Sequence, residues 1–363
     1  LALWLRCQRA YQEADLKDGV RPKIARSNIV CAEPMPGETD LLKEFTATLQ
    51  PKVLGQLVEA VFEKMKLAGE AGSLLKTEEE IQEVARRAKV EYIQWNKHLE
   101  KAKGTLFPDL VPRDHPSIFD FVDLTDEAFL DRAEEEIVSA LRQYAENASN
   151  GRAYRKRLFA EDAARGFAFV DICHKRFDVV LMNPPFGEVS PSLLGYLAFT
   201  YPTWNKNILC AFLERGYQLS LPTGATAAIY DRTVIVKSTY EEFRRTVLVA
   251  DNRLSVMADL GWEVLDANVE VTTSVLHHQP ASNKGVFIDC REIDVDGKCS
   301  FIKDSIDELF KGVMHRGVVC ASGSSFQRLP NSVVGYDFPH YLRIAFETFP
   351  SLEESGLKAN QGH

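Results

Sequence analysis

Phe177-Asp-Val-Val-Leu-Met-Asn-Pro-Pro-Phe-Gly187 is an apolar run that stops on two prolines, and its reading decides the fold. Phe177 to Met182 has the length and branched, apolar content of an internal parallel strand. Pro184 and Pro185 hold φ at about −65° and remove two backbone donors, so the strand ends there and its last carbonyls face outward without local N–H competition. The Asn183 side-chain oxygen and the carbonyl region of Asn183–Pro184 can both accept hydrogen bonds from one exocyclic amino group. Phe186 offers a ring face for a flat heterocycle, and Gly187 lets the backbone turn away. The segment predicts a strand whose exit holds a planar amino group still.

Downstream, the pattern alternates. A helix is expected over 208–221, a turn over Pro222-Thr-Gly224 and a strand from Ala225 to Val236. A helix from Tyr240 to Val249 and strands from Leu254 to Leu260 and Thr272 to His277 follow. Such βα alternation predicts an α/β, doubly wound sheet of Rossmann-like type, in which ligands bind beyond the carboxyl ends of the strands. Asn28-Ile-Val-Cys-Ala-Glu33, ended by Pro34 and Pro36, reads as another buried strand with its exit at that rim. Arg232-Thr233, Asp259 and Gly261 fall near the same edge, where turn chemistry explains them as well as substrate contact does. Asp178 and His277-His278 read as structural, and the eight histidines show no metal spacing.

Residues 38–150 differ in character. Leu54, Leu57, Val58, Val61, Phe62 and Met65 recur at helical spacing. So do Ile81, Val84, Ala88, Tyr92 and Trp95, and again Phe129, Ala133, Ile137, Leu141 and Tyr144. Thr125, Asp126 and Glu127 suit the start of that third helix, and prolines 108, 112 and 116 mark the loop before it. The segment reads as a helical insertion far longer than an ordinary connection. The expected organisation is a partial core over 1–37, the insertion over 38–150, and a catalytic core over 151–284. From about 285 the pattern loosens, and 285–363 reads as a passage toward a further domain.

The chain is 45% hydrophobic over 363 residues, enough for a full core and more than one module. It has no apolar run of membrane-spanning length and no signal-peptide pattern, so a soluble, cytoplasmic protein is expected. Seven scattered cysteines with no C-x-x-C pair predict reduced thiols rather than disulfides or zinc. The net charge of −9 is local: residues 38–150 carry 23 acidic against 14 basic side chains, and the remainder 29 of each. Arg152, Arg155, Lys156, Arg157, Lys175 and Arg176 cluster before the proline-ended strand. They suit a phosphate-facing patch or an ordinary solvated surface equally.

Asn183-Pro-Pro-Phe186 resembles the motif of amino-group DNA methyltransferases. Three further stretches, Ser27 to Gly37, Leu67 to Lys76 and Phe159 to Gly166, are similar to segments of large bacterial adenine-specific methyltransferases of the Eco57I-like kind. Those occur in restriction–modification and in phage-defence systems such as BREX and DISARM. The likeness implies transfer of a methyl group from S-adenosylmethionine to adenine N6, with Asn183, Pro184, Pro185 and Phe186 as the catalytic set and no metal. It implies that Glu33 accepts from the cofactor's adenine amino group while Pro34 packs on that ring. The implied partners are double-stranded DNA with a flipped adenine and other defence-system subunits. Ser324 to Pro330 and Gly335-Tyr-Asp337 resemble the family's passage into a target-recognition domain, and Gly356 to His363 that domain's opening. The family's glycine-rich cofactor loop and the acidic residue gripping the ribose are not found. The chain also opens on Leu1-Ala-Leu-Trp-Leu-Arg, which reads as the middle of a helix. The expectation is therefore a fragment that binds cofactor poorly and is inactive alone. Two other readings stand beside it: methylation of protein glutamine or RNA amino groups, and a degenerate, non-catalytic scaffold subunit.

Overall fold

The computed structural model describes all residues except 1, 18, 22–28, 36–37, 51, 104–125, 148–152, 186–188, 205–207, 266–267, 280–283, 351–354 and 357–363. The chain divides into two units, Leu1–Cys31 and Ala32–His363. The first contains helix α1 (Ala2–Glu13), held locally by an Arg9–Glu13 pair one turn apart.

The second unit opens on Ala32 to Met35, and no strand forms over the described residues 29–35. This differs from the strand expected there: the apolar run has no neighbouring strand to pair with. A helical layer follows, with α2 (Thr39–Thr48), α3 (Lys52–Met65), the single turn α4 (Ala68–Ala71), α5 (Thr77–Lys103), α6 (Asp126–Glu146) and α7 (Ala153–His174). The expected stripe of α3 is buried throughout, from Leu54 to Met65. Phe159 of α7 stacks on Phe62 at 5.5 Å and meets the edges of Phe45 and Tyr144, so α7 seals this layer before leading into the sheet.

Then come β1 (Phe177–Met182), α8 (Pro191–Thr200), α9 (Ile208–Leu219), β2 (Ser220–Asp231), α10 (Thr233–Val236) and α11 (Glu241–Phe243). The chain finishes with β3 (Leu254–Gly261), β4 (Val271–His277), β5 (Gly285–Asp289), α12 (Val295–Phe310), β6 (Val318–Ala321), α13 (Gly323–Gln327) and α14 (His340–Thr348). The strands form one sheet in the order β1-β2-β4-β3-β5-β6. β1 pairs parallel with β2 and β3 with β5, while β4 lies antiparallel between β2 and β3, so β1, β2, β3 and β5 all run the same way. α9 packs on the face of Met182 and Thr226: a side chain at Gly216 would collide with both. α12 packs Phe301, Ile302 and Ile306 on the opposite face, over Ala258, Leu260, Val271 and Ile288. Helices on both faces of a mixed sheet, in which four of the six strands run one way and β4 and β6 the other, make this the expected Rossmann-like α/β fold.

Three local differences have physical causes. Pro222 to Gly224, expected as a turn, lies inside β2; a side chain at Gly224 would come within 2.8 Å of the Asp178 carbonyl, so glycine lets the two strands bulge past each other. β1 is an edge strand, not an internal one: nothing described pairs with its outer edge, and Val179 and Leu181 are 57% and 76% exposed. The sheet also continues past residue 284 through β5 and β6, whose strands are too short to stand out as a pattern.

Candidate active site

Asn183 leaves the carboxyl end of β1, where the two prolines stop the strand. Asn183 and Pro185 are exposed and Pro184 is buried, so the ring of Pro184 anchors the turn while the amide of Asn183 reaches solvent. Phe186 and Gly187 lie outside the described residues. Beyond them Ser190 caps α8 by accepting from the Leu193 N–H at 3.3 Å.

Glu33 and Pro34, expected at the same rim, are both exposed. Their segment is anchored without a strand. Met35 is buried against Gly166 of α7, and Pro34 lies against Gly69 of α4. The next residue along, Glu70, accepts from Ser192 Oγ at 2.5 Å and from Ser190 Oγ. This single turn therefore touches Pro34 on one side and the amino end of α8 on the other. These hydrogen bonds, that of Ser190 first and that of Ser192 second, hold the Glu70 carboxyl below its ordinary value. Sequence reading singled out neither Glu70 nor its two serines; a carboxylate and hydroxyls 120 residues apart leave no local signal.

The turn after α4 is clamped from below. Arg215 of α9 donates to the Ser73 carbonyl at 2.8 Å and to both oxygens of Glu78 at 2.5 and 3.0 Å. Tyr196 and Tyr201 donate to the Leu74 carbonyl at 3.1 and 3.0 Å, and Tyr196 accepts from the Lys76 N–H. Arg215 and Glu78 are both buried. Burial also pushes the neighbouring Cys173 thiol up to about 11, which keeps it neutral.

Further along the rim, Arg232 follows β2 and binds both oxygens of the fully buried Asp259 at 3.0 and 2.8 Å; Tyr336 donates to the same carboxylate at 2.8 Å. Arg291 bridges Asp289 and Asp337. These groups neutralise one another and read as structure. His278 stacks on Tyr217 at 3.6 Å, with Nε2 2.9 Å from that residue's carbonyl oxygen, and this fits its structural reading.

The basic cluster ahead of β1 is mostly spent locally. Arg155 pairs with Glu38 and Asp40, Lys156 with Glu44, and Lys175 with Asp171; Arg152 lies outside the described residues. The solvated-surface reading gains from this. An apolar cavity among α3, α5, α6 and α7 is lined by Leu57, Val61, Ile137, Phe167 and His174, and none of the sequence-predicted site residues lines it. Among the described residues no group of side chains is arranged to hold a metal, and no helix is long and apolar enough to cross a membrane.

The sequence matches the model of the Eco57I restriction–modification methylase family over residues 42–264, which takes in the helical insertion, the Asn183 rim and β3. No protein of curated function matches it. Among solved structures it is similar to a type I restriction–modification methyltransferase subunit from Streptococcus thermophilus, at 18% identity and a TM-score of 0.33, over 46% of this chain and 43% of that one. It is also similar to a modification subunit of a putative type I restriction enzyme from Vibrio vulnificus, at 12% identity and a TM-score of 0.35, over 96% and 89%. A third likeness is to the type IIG restriction endonuclease BpuSI, at 16% and 0.33, over 59% of this chain and 30% of that one. The chain thus spans less than half the length of the first and third of these, and superpositions this loose add nothing to the strand order. With the family match covering more than half of its residues, the chain belongs to the Eco57I restriction–modification methylase family.

Proposed function

We propose that this chain supplies the base-holding side of a methyltransferase acting on adenine N6 in double-stranded DNA, with S-adenosylmethionine as donor, in a restriction–modification or phage-defence system. One observation carries the reading: in a chain of this family, Asn183 and Pro185 stand exposed directly beyond the carboxyl end of a parallel strand. Adenine N6 is a weak nucleophile because its lone pair is delocalised into the ring. The Asn183 side-chain oxygen and the Pro184 carbonyl would accept from its two protons and favour a pyramidal nitrogen. Rigid placement contributes most of the rate, since reacting atoms must be aligned before the step. The adenine must leave the duplex, at a cost of a few kcal/mol, and Phe186 would be its stacking partner.

Glu33 and Pro34 are suited to the donor's adenine end: Pro34 is fixed against Gly69, and Glu33 is exposed as an acceptor. When bound, the donor would supply a methyl group on a cationic sulfonium that leaves as a neutral thioether, with the displaced N6 proton passing to solvent. The outer side of β1 is open, because β1 has no outer neighbour among the described residues. DNA and further subunits of the same system are the proposed partners.

Labelled methyl transfer by the full-length protein to plasmid DNA, tRNA and a release factor tests the reaction. DNA alone should be labelled, and Asn183→Ala should lower the rate about 100-fold or more. Label in tRNA or release factor, or N6-methyladenine undiminished in Asn183→Ala, would overturn it. The 363-residue chain by itself should bind the donor only weakly. Micromolar binding by calorimetry would show that the open side of β1 does not matter.

A further inference from the structure

We infer that Glu70, on the one-turn helix α4, is a positioning residue for the amino end of α8, the first helix after Asn183–Pro185; its effect on catalysis rests on the reaction proposed above. Three contacts converge on this turn. Glu70 accepts from the hydroxyls of Ser190 and Ser192, which lie 3.1 Å apart at the start of α8. Gly69 lies against Pro34. The residues just after α4 are held by Tyr196, Tyr201 and Arg215, from the two helices that follow β1.

The amino end of α8 is thus tied to the Glu33–Pro34 segment through the α4 turn. The carboxylate also sits at the amino end of α8, where negative charge is favoured. Both hydroxyls donate to the same oxygen, Glu70 Oε2, while Ser190 still caps α8. A glutamine oxygen could accept both bonds but carries no charge, so they would be weaker. The depressed Glu70 carboxyl agrees with this arrangement. Unlike Asn183, Glu70 touches no reacting atom in this scheme. It holds the start of α8.

A purely structural role would weaken the whole unit, whereas positioning acts on one loop and on turnover. The test compares Glu70→Ala, Glu70→Gln, Ser190→Ala/Ser192→Ala and the combined variant in the full-length protein. Glu63→Gln, which removes an exposed carboxylate paired with Lys66 in the same insertion, is the control. Amide exchange of Val189 to Leu194 should rise about 10-fold in Glu70→Ala and in the double serine variant, with no further rise when they are combined. Exchange in β2 should stay unchanged, and Glu70→Gln should fall between. The turnover number for DNA methylation should fall about 10-fold with the donor's KM unchanged. Unchanged exchange in Glu70→Ala, independent addition of the two effects, or an equal rise throughout β2 would overturn the inference. Glu70-dependent protection in a protein that transfers no methyl group to DNA would support the positioning claim and sink the reaction.

Discussion

The two ends of the sheet are built to different standards. At the β3–β5 end, α12 covers one face, Asp259 joins Arg232 and Tyr336 in a buried network, and Ile288 and Met257 are sealed. At the β1 end, α9 covers the face of Met182, while Val179 and Leu181 on the other face remain bare and the outer edge pairs with nothing described. Fully burying such a side chain stabilises by about 1.5–3 kcal/mol, so the open end forgoes an ordinary source of stability. Yet the open end carries the asparagine and the prolines. Stability and candidate chemistry have been placed on opposite sides of one sheet. An unpaired apolar edge also invites association with another strand, which isolated edges normally resist through charge or irregularity.

The contrast can be broken most severely at Asp259. Asp259→Ala leaves Arg232 and Tyr336 without their shared acceptor and should cost about 3–5 kcal/mol in urea unfolding. A loss under 1 kcal/mol would mean that the closed end is not held by this network. Next in size is a matched pair of truncations: Ile288→Ala should cost about 2–5 kcal/mol, and Leu181→Ala no more than about 0.5 kcal/mol. Equal costs would show that β1 is covered in solution. The smallest effect is on pH dependence. Hydrogen bonds from Arg291 hold the Asp289 carboxyl below its usual 3.8, so its contribution is fully present above that value and is lost as pH falls through the depressed one. Replacing Arg291 with Gln should therefore reduce stability at pH 6 and flatten the acid limb of the stability curve. An acid limb of unchanged steepness would remove Asp289 from the account.

Much of the fold was legible in the sequence because its signals are local. Helical spacing located α3, α5 and α6, and β-rich runs located β1, β3 and β4. The position of β1 in the sheet was not legible, since an apolar run reads the same whether its neighbours are present or missing. Gly224 looked like a turn because Pro-Thr-Gly usually is one; its real cause, two carbonyls of β1 pressing on it, lies across a strand pair. The partners of Arg155 and Lys156 arrive from more than 100 residues upstream, so a basic string looked more available than it is. Of the candidate site, the strand end that carries Asn183 was legible from its two prolines, whereas the placement of Pro34 beside the α4 turn was not, since Gly69 lies far along the chain. The route by which they are joined does not follow from any motif.

The Arg215–Glu78 pair has a bearing on how this family can be remodelled. Insertions of this size are tempting to excise or exchange as cassettes. Here the excised piece would take Glu78 with it and leave a guanidinium stranded under the strand that feeds the asparagine. A replacement module would therefore need to bring its own acid to that spot, and chimaeras joined at residues 38 and 150 should be chosen by that requirement before any consideration of length.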